Sequence, residues 1–256
     1  MDHTDYAPAR AGRRRAASGY PTGDDTRQRL LAAACEVFAQ RGFELASTRD
    51  IAARAGVKSP ALSYYFGDKL GLYLACVDSV TSRIKARLEP GFMRVEEAVS
   101  KAAPMSDLIE LYCLMQESLL DSFFTPGEGD TVKALTWNTQ FAVKEALDLM
   151  NQRVTFPLMK AQSAVLGVIL GRTQDDLLTR LHVIATNGLF MNFYLSWPCE
   201  PLVQLDFHDP ANLHMLKGIL RQQAEGLLFS LAQRPGAVAR TKRKTPRRTI
   251  KQRSKK

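Results

Sequence analysis

Lys58, Ser59, Pro60, Ala61 and Ser63 stand close together early in the chain, spaced to share the outward front of one short helix. A cation, two hydroxyls and compact side chains are what a helix needs to enter the major groove of DNA. The hydroxyls and ammonium meet base edges, and small side chains let the helix seat deeply against thymine methyls and backbone. Thr48 lies ten residues upstream, at the start of a preceding helix. Its hydroxyl and the free N–H groups of that first turn are suited to bind a phosphate.

Two short helices must hold these groups in place. The first is expected from Thr48, capped by Ser47 or Thr48 itself, to the turn at Gly56. The second is expected near Ser59-Pro60, with the serine capping and the proline in the first turn, where its missing N–H costs nothing. Ala52 is small enough for the second helix to approach the first, and Gly56 supplies a positive φ at the turn. Ile51, Ala55, Val57 and Leu62 provide the apolar contacts between the pair. Six positions in register over residues 48–65 specify a helix-turn-helix. Tyr65 is a further candidate for DNA contact, although it falls on the inward register, where Tyr65 and Phe66 serve the core more readily than the contact. Lys58 could be a solvated charge, but its place beside the turn favours DNA.

Other chemistry finds little support. No nucleophile, base and oxyanion donor assemble, so the chain does not read as an enzyme. Cys35, Cys76, Cys113 and Cys199 stand far apart in apolar contexts and read as buried or idle thiols. Asp206, His208, Asp209 and His214 match no familiar metal spacing. Neither a metal nor a cofactor is expected. The longest apolar run is too short for a membrane span of roughly 20 residues. The arginines at 10 and 13–15 precede no apolar stretch, so no signal peptide is expected. These features predict a cytoplasmic, nucleoid-associated protein.

The net charge of +9 is unevenly divided. Residues 1–24 carry +1, residues 25–89 carry +3, residues 90–233 carry −6, and residues 234–256 carry +11 with no acid. One end of the molecule would face a polyanion and the other would avoid it. Residues 1–24 lack periodicity and read as a disordered arm. The basic tail reads as disordered too, drawn to phosphate without sequence preference or simply solubilising.

Order should begin at Asp25-Thr26, with Leu30, Leu31, Ala34, Val37 and Phe38 on the inner face of a helix ending at Gly42. A fourth helix should start at Asp68-Lys69 and run through Leu72, Val77, Val80, Ile84 and Leu88 to a break at Pro90-Gly91. Helical periodicity then continues over about 106–124, 130–150, 152–170, 174–196 and 209–233. Breaks are expected at Pro126-Gly127, at Gly171 and from Pro198 to Pro210. With no convincing strand, the fold class is all-α. An N-terminal helix-turn-helix DNA-binding domain (25–89) precedes a larger helical ligand-binding and dimerisation domain (90–233).

The stretch from Thr26 to Tyr73 resembles the DNA-binding domain of the TetR family of transcriptional regulators. The matching motifs are Phe38 to Phe43, Thr48 to Lys58, the aromatic cluster Tyr64 to Phe66, and Lys69 to Leu72. Two departures are Lys58 ahead of Ser59 after the turn valine, and Ser63-Tyr64-Tyr65-Phe66 in place of the usual Tyr-Tyr-His-Phe. The second, with the segment from Phe141 to Pro157, resembles the CecR-like branch of that family. The resemblance implies that Tyr64 and Lys69 hold the DNA backbone. It further implies a homodimer on a palindromic operator and a ligand cavity whose occupation changes the spacing of the two readers.

Met115, Phe123, Trp137, Phe141, Phe156 and Met159 are the pocket candidates, each of them open to a plain core role. Two seams could pair subunits in a four-helix bundle: Leu177, Leu181, Ile184, Gly188, Met191 and Leu195, and Leu213, Leu216, Leu220, Ala224, Leu227 and Leu231. Either stripe could instead face its own core. Taken together, the expected function is a sequence-specific repressor released from double-stranded DNA by a small, largely apolar effector. The alternatives are a non-specific architectural binder driven by the basic tail, and an enzyme or carrier with a vestigial DNA domain.

Overall fold

The computed structural model describes residues 23–125, 129–141, 143–195 and 205–233, and every regular element among them is helical. In chain order these are α1 (Gly23–Leu45), α2 (Thr48–Arg54), α3 (Ser59–Phe66), α4 (Lys69–Ser100), α5 (Met105–Phe124), α6 (Gly129–Phe141) and α7 (Lys144–Met150). A π-helical turn at Asn151–Thr155 leads into α8 (Phe156–Leu170), followed by α9 (Leu177–Leu195) and α10 (Pro210–Ala232). The basic tail, nearly all of the N-terminal arm, Cys199 and the break at Pro126-Gly127 lie outside the described residues.

Helix α1 buries Leu30, Ala34, Val37 and Phe38 on one stripe, the three- and four-residue spacing of an amphipathic helix. At Gly42 the backbone leaves helical geometry, with φ +71° and ψ 176°, before one further turn to Leu45. Phe43 then folds back on Tyr73 of α4, ring centroids 5.0 Å apart, and Phe38 meets the same Tyr73 ring edge-on at 4.9 Å. That aromatic cluster fixes the angle at which the N-terminal module meets α4.

The expected break at Pro90-Gly91 does not occur, because α4 runs through both residues to Ser100. An interior proline loses one backbone hydrogen bond and costs about 3 kcal/mol. Packing outweighs it here. Leu88 and Val95 on either side are buried, and a Cβ at Gly91 would come within 2.9 Å of Met115 Cγ on α5. Glycine therefore lets α5 close on α4 at the position where the chain looks weakest. The division at 89/90 falls inside one continuous helix, whose first half packs on α1 and whose length carries α5, α7 and α8.

Two further boundaries differ from the periodicity. The 130–150 segment is divided into α6 and α7, and the π turn separates α7 from α8. Arg153 of that turn reaches Asp78 on α4 at 2.7 Å. Asn138 on α6 donates to the carbonyl oxygens of Phe38 and Ala39 on α1, at 3.2 and 3.4 Å. The body thus grips both helices that carry the N-terminal module.

Candidate nucleic-acid interface

Ser47, not Thr48, caps α2: its hydroxyl accepts from the N–H groups of Arg49 and Asp50 at 3.2 and 3.4 Å. Thr48 becomes the first helical residue, and its hydroxyl makes no hydrogen bond among the described residues. At the other end of α2, Val57 N–H donates to Ala52 O and Gly56 N–H to Ala53 O, each at 3.0 Å. This double closure is the Schellman arrangement, and it needs the left-handed φ of +65° that Gly56 adopts. Arg29 of α1 then hooks the turn from behind, donating to Ala55 O at 2.6 Å and Gly56 O at 3.2 Å.

Two ion pairs complete the anchorage of α2 to α1. Arg41 meets Asp50 at 2.7 Å, and Arg54 donates to Glu36 at 2.8 Å. Ile51, Ala52, Ala55 and Leu62 are buried beneath, so the inner register is the expected one. Exposed pairs of this kind contribute little stability each. Their effect is geometric: α2 and its turn are fixed before any ligand arrives.

Helix α3 starts one residue earlier than its sequence suggests. Lys58 occupies the N-cap position in extended geometry, without a side-chain cap, and Ser59 and Pro60 fall in the first turn. Ser59 therefore keeps its side chain for other partners. Lys58, Ser59, Pro60, Ser63 and Tyr64 are exposed, and Ala61 is half-buried. Lys58 forms no ion pair among the described residues, and Tyr64 is 82% exposed, the ring lying edge-on to Tyr65 at 4.9 Å. Tyr65 and Phe66 are half-buried against the core, as their inward register suggests. Arg49, exposed in the first turn of α2 beside Thr48, is a further cation at this end that the motif did not single out.

Lys69 has partners already. Its ammonium donates to Glu44 O at 3.0 Å and sits 4.7 Å above the centre of the Phe43 ring. It closes the α1 corner, and only its remaining N–H groups are left for an outside ligand. Asp68 caps α4 by accepting from Gly71 N–H at 2.7 Å.

The pocket candidates do not form one site. Met115 and Phe123 are core residues, and Met159 is half-buried against the core. Trp137 and Phe156 are 46% and 59% exposed, so neither lines an enclosed cavity. Val132, Leu135 and Thr136 take the inner face of α6, which turns Trp137 outward, and the π turn rotates Phe156 away from the stripe led by Leu158. The side chain of Phe141 lies outside the described residues.

The body instead centres on a polar group that the apolar periodicity hides. Asn187 Oδ1 accepts from Gln116 Nε2 at 2.5 Å, Gln162 Nε2 at 3.0 Å and Tyr112 Oη at 3.2 Å. Its amide returns a hydrogen bond to Gln162 Oε1 at 2.9 Å. Tyr112, Gln116 and Gln162 are buried, so three donors converge on one oxygen at the junction of α5, α8 and α9. Burial pushes the Tyr112 hydroxyl above its ordinary range, keeping it a proton donor. Glutamine inside the otherwise apolar run of α8 was the available clue.

Of the two seams, the α9 stripe is outward. Leu177 is 71% exposed, Leu181, Ile184 and Gly188 are exposed beside it, and a Cβ at Gly188 would meet nothing within 4 Å. The side chains of Met191 and Leu195 lie outside the described residues. The α10 stripe is mostly inward: Leu216, Leu220, Ala224 and Leu231 are buried in their own core and Leu213 is half-buried, leaving only Leu227 exposed. The outward apolar positions on α10 are Met215, Ile219 and Phe229 together with Leu227, with Gly218 and Gly226 open beside them. Arg221 explains the register, since its guanidinium pairs with Glu110 and Glu117 of α5 and holds that face of α10 inward.

Residues 30–76 match the family described as bacterial regulatory proteins, tetR family. Over 174 residues the chain is 27% identical to the HTH-type transcriptional dual regulator CecR of Shigella flexneri, covering 68% of this chain and 78% of that protein. Over 88 residues it is 42% identical to the HTH-type transcriptional activator FasR of Mycolicibacterium smegmatis, covering 31% of this chain and 40% of that one. The fold is similar to the crystal structure of the transcriptional regulator FadR from Bacillus subtilis in complex with stearoyl-CoA, with a TM-score of 0.51 at 18% identity over 80% of this chain and 97% of that one. With the helix-turn-helix geometry above, residues 30–76 are a DNA-binding domain of the tetR family of bacterial regulatory proteins, in a chain similar to transcriptional regulators of that family.

Proposed function

We propose that the protein acts as a homodimeric repressor on a palindromic operator and is released by a small, largely apolar effector. The observation that carries the DNA half is the front of α3. Lys58, Ser59, Ser63 and Tyr64 are exposed there, while Arg29 and the backbone N–H groups of Gly56 and Val57 behind them are spent on fixing the turn. Thr48 and Tyr64 hold phosphates on either side, and Lys58, Ser59, Pro60, Ala61 and Ser63 face base edges. Lys69 contributes a backbone contact only through the donors that Glu44 leaves free.

A single short recognition helix reads only a few base pairs, so affinity and specificity call for a second copy. The exposed apolar side chains of α9, with Met215 and Ile219 of α10, are the surface that a partner subunit would cover. The effector would be recognised in the body, which would have to open around the buried Met115 and Phe123 to give it apolar contact. The Asn187 cluster would offer hydrogen bonds to an oxygen-bearing group only by giving up those it makes within itself. An apolar effector is in keeping with FadR of Bacillus subtilis, a regulator of similar fold whose crystal structure is in complex with stearoyl-CoA. Asn138 and Arg153 would carry the response, since they tie the body to α1 and α4.

Selection of bound DNA from a random pool by the full-length protein, repeated at raised salt, tests the reading. One inverted repeat should dominate at both salt concentrations. Recovery of no palindromic motif would overturn it and leave the architectural alternative, in which the +11 tail supplies the affinity.

A further inference from the structure

Helix α4 sets the distance between the reading surface and the far end of the body. Its 32 residues from Lys69 to Ser100 make it about 48 Å long. Helix α3 lies immediately ahead of its first residue, so the recognition front sits at one end of that length. Helix α5 returns antiparallel to α4. Thr125, just past its last residue, meets Arg87 at 3.4 Å, while its start at Met105 follows closely on Ser100. Helix α10 in turn runs antiparallel to α5. Lys217 pairs with Asp121 at 2.5 Å, and one turn later Arg221 pairs with Glu117 at 2.6 Å and with Glu110 beyond it. Each step toward the C-terminus of α10 is thus a step toward the start of α5. Gln233, which closes α10, is carried level with Met105 and the last turn of α4, at the end opposite to α3.

There the chain enters residues 234–256, with eleven lysines and arginines and no acid. Wound as one helix, these 23 residues would cover about 35 Å, and coiled as a flexible chain about 26 Å. Both fall short of the length of α4, so the charge is rooted away from the duplex that α3 reads. Only a segment drawn out along the body, toward its limit of about 76 Å, would return to that duplex, at a cost in chain entropy. Nor does the body near Gln233 absorb the charge. Exposed Glu96, Glu97 and Asp107 stand there against Arg94 and Lys101, and Glu97 is already paired with Lys101 at 2.6 Å. The acids of the α8–α9 turn, Asp175 and Asp176, are paired with Arg180 and Arg172.

We propose that residues 234–256 bind the phosphates of a second DNA segment without sequence preference, so that the protein bridges that segment to the operator. The proposal rests on α3 holding the operator. The partner follows from the chemistry of the segment. Eleven cations with no aromatic side chain among them recognise phosphate charge, not bases. A protein already held on DNA meets further duplex at a higher local concentration than any other polyanion.

The test fixes a duplex carrying the selected inverted repeat to beads, loads the full-length protein, washes, and adds a labelled duplex of unrelated sequence. The full-length protein should retain the second duplex, and retention should fall steeply as salt rises from about 50 to about 200 mM. A chain ending at Gln233, and a full-length variant with the lysines and arginines of 234–256 changed to glutamine, should each retain at least roughly tenfold less. Their Kd for the operator should stay within about twofold of wild type. No second duplex on the full-length protein, or equal retention by the variants, would overturn the proposal. So would an operator Kd about tenfold weaker without the segment, since the charge would then lie folded back on the same duplex. A repeat that fails to capture the protein at all would overturn the repressor reading and the bridge together.

Discussion

The reading module and the helical body treat polar and apolar groups in opposite ways. In the module, charged side chains are spent behind the working surface, where Arg29, Arg41 and Arg54 fasten α2 and its turn to α1. What faces outward is compact, hydroxylated and cationic. In the body, hydrogen-bonding amides are buried around Asn187, and what faces outward along α9 is leucine and isoleucine. A surface with unspent polar groups on a fixed frame suits a hydrated, charged ligand such as DNA. An apolar surface with open glycines suits a close protein partner, and a buried polar cluster suits a small guest. The two regions meet in α4, which belongs to both.

Breaking the α9 surface should give the largest effect. Replacing Ile184 and Leu181 together by glutamate should turn a dimer into a monomer in sedimentation analysis and lower operator affinity by more than 100-fold. An unchanged sedimentation coefficient would show that the exposed stripe is not the pairing surface. By contrast, glutamate at Met215 alone, on the neighbouring α10, should weaken dimerisation without abolishing it.

Disrupting the buried cluster comes next. Asn187→Leu leaves Tyr112, Gln116 and Gln162 without their common acceptor, and each buried group left unpaired costs about 1–3 kcal/mol. The expected result is a lower Tm with DNA reading preserved at temperatures where the variant is folded. A variant as stable as wild type would mean that the cluster is satisfied by other partners.

On the reading side, Tyr64→Ala should weaken binding to all sequences by roughly tenfold, the loss of about 1.4 kcal/mol. A loss confined to the operator would move Tyr64 from backbone to base contact. The smallest effect expected is for Arg29→Ala. Losing a charged hydrogen bond from an exposed turn should cost about 1 kcal/mol of stability. Its influence on DNA binding should then exceed its influence on Tm, because it sets the turn's position rather than its existence.

The module was legible in sequence because its constraints are local. Ile51, Ala52, Gly56 and Leu62 need only their own turn and neighbours to state their roles, and the inner register follows from helical spacing. Finer points failed where a competing donor or contact decided the outcome. Ser47 took the cap that Thr48 could have taken, and Lys58 displaced Ser59 from the next one. In the body the deciding contacts are distant. Met115 seated on Gly91 overrides Pro90, and Glu110 and Glu117 holding Arg221 turn Leu216 and Leu220 inward. Asn187 sits in a stripe that reads as apolar, so its partners on two other helices could not be inferred from periodicity.

The central claim is that the small front of α3 reads sequence while the groups around it hold the backbone. Its most direct test compares the DNA motifs selected by wild type, Lys58→Ala and Ser63→Ala under identical salt. Each variant should change the preferred base at matching positions in the two halves of an inverted repeat, leaving the rest of the motif intact. Identical motifs from all three proteins, with only a uniform loss of affinity, would contradict the account.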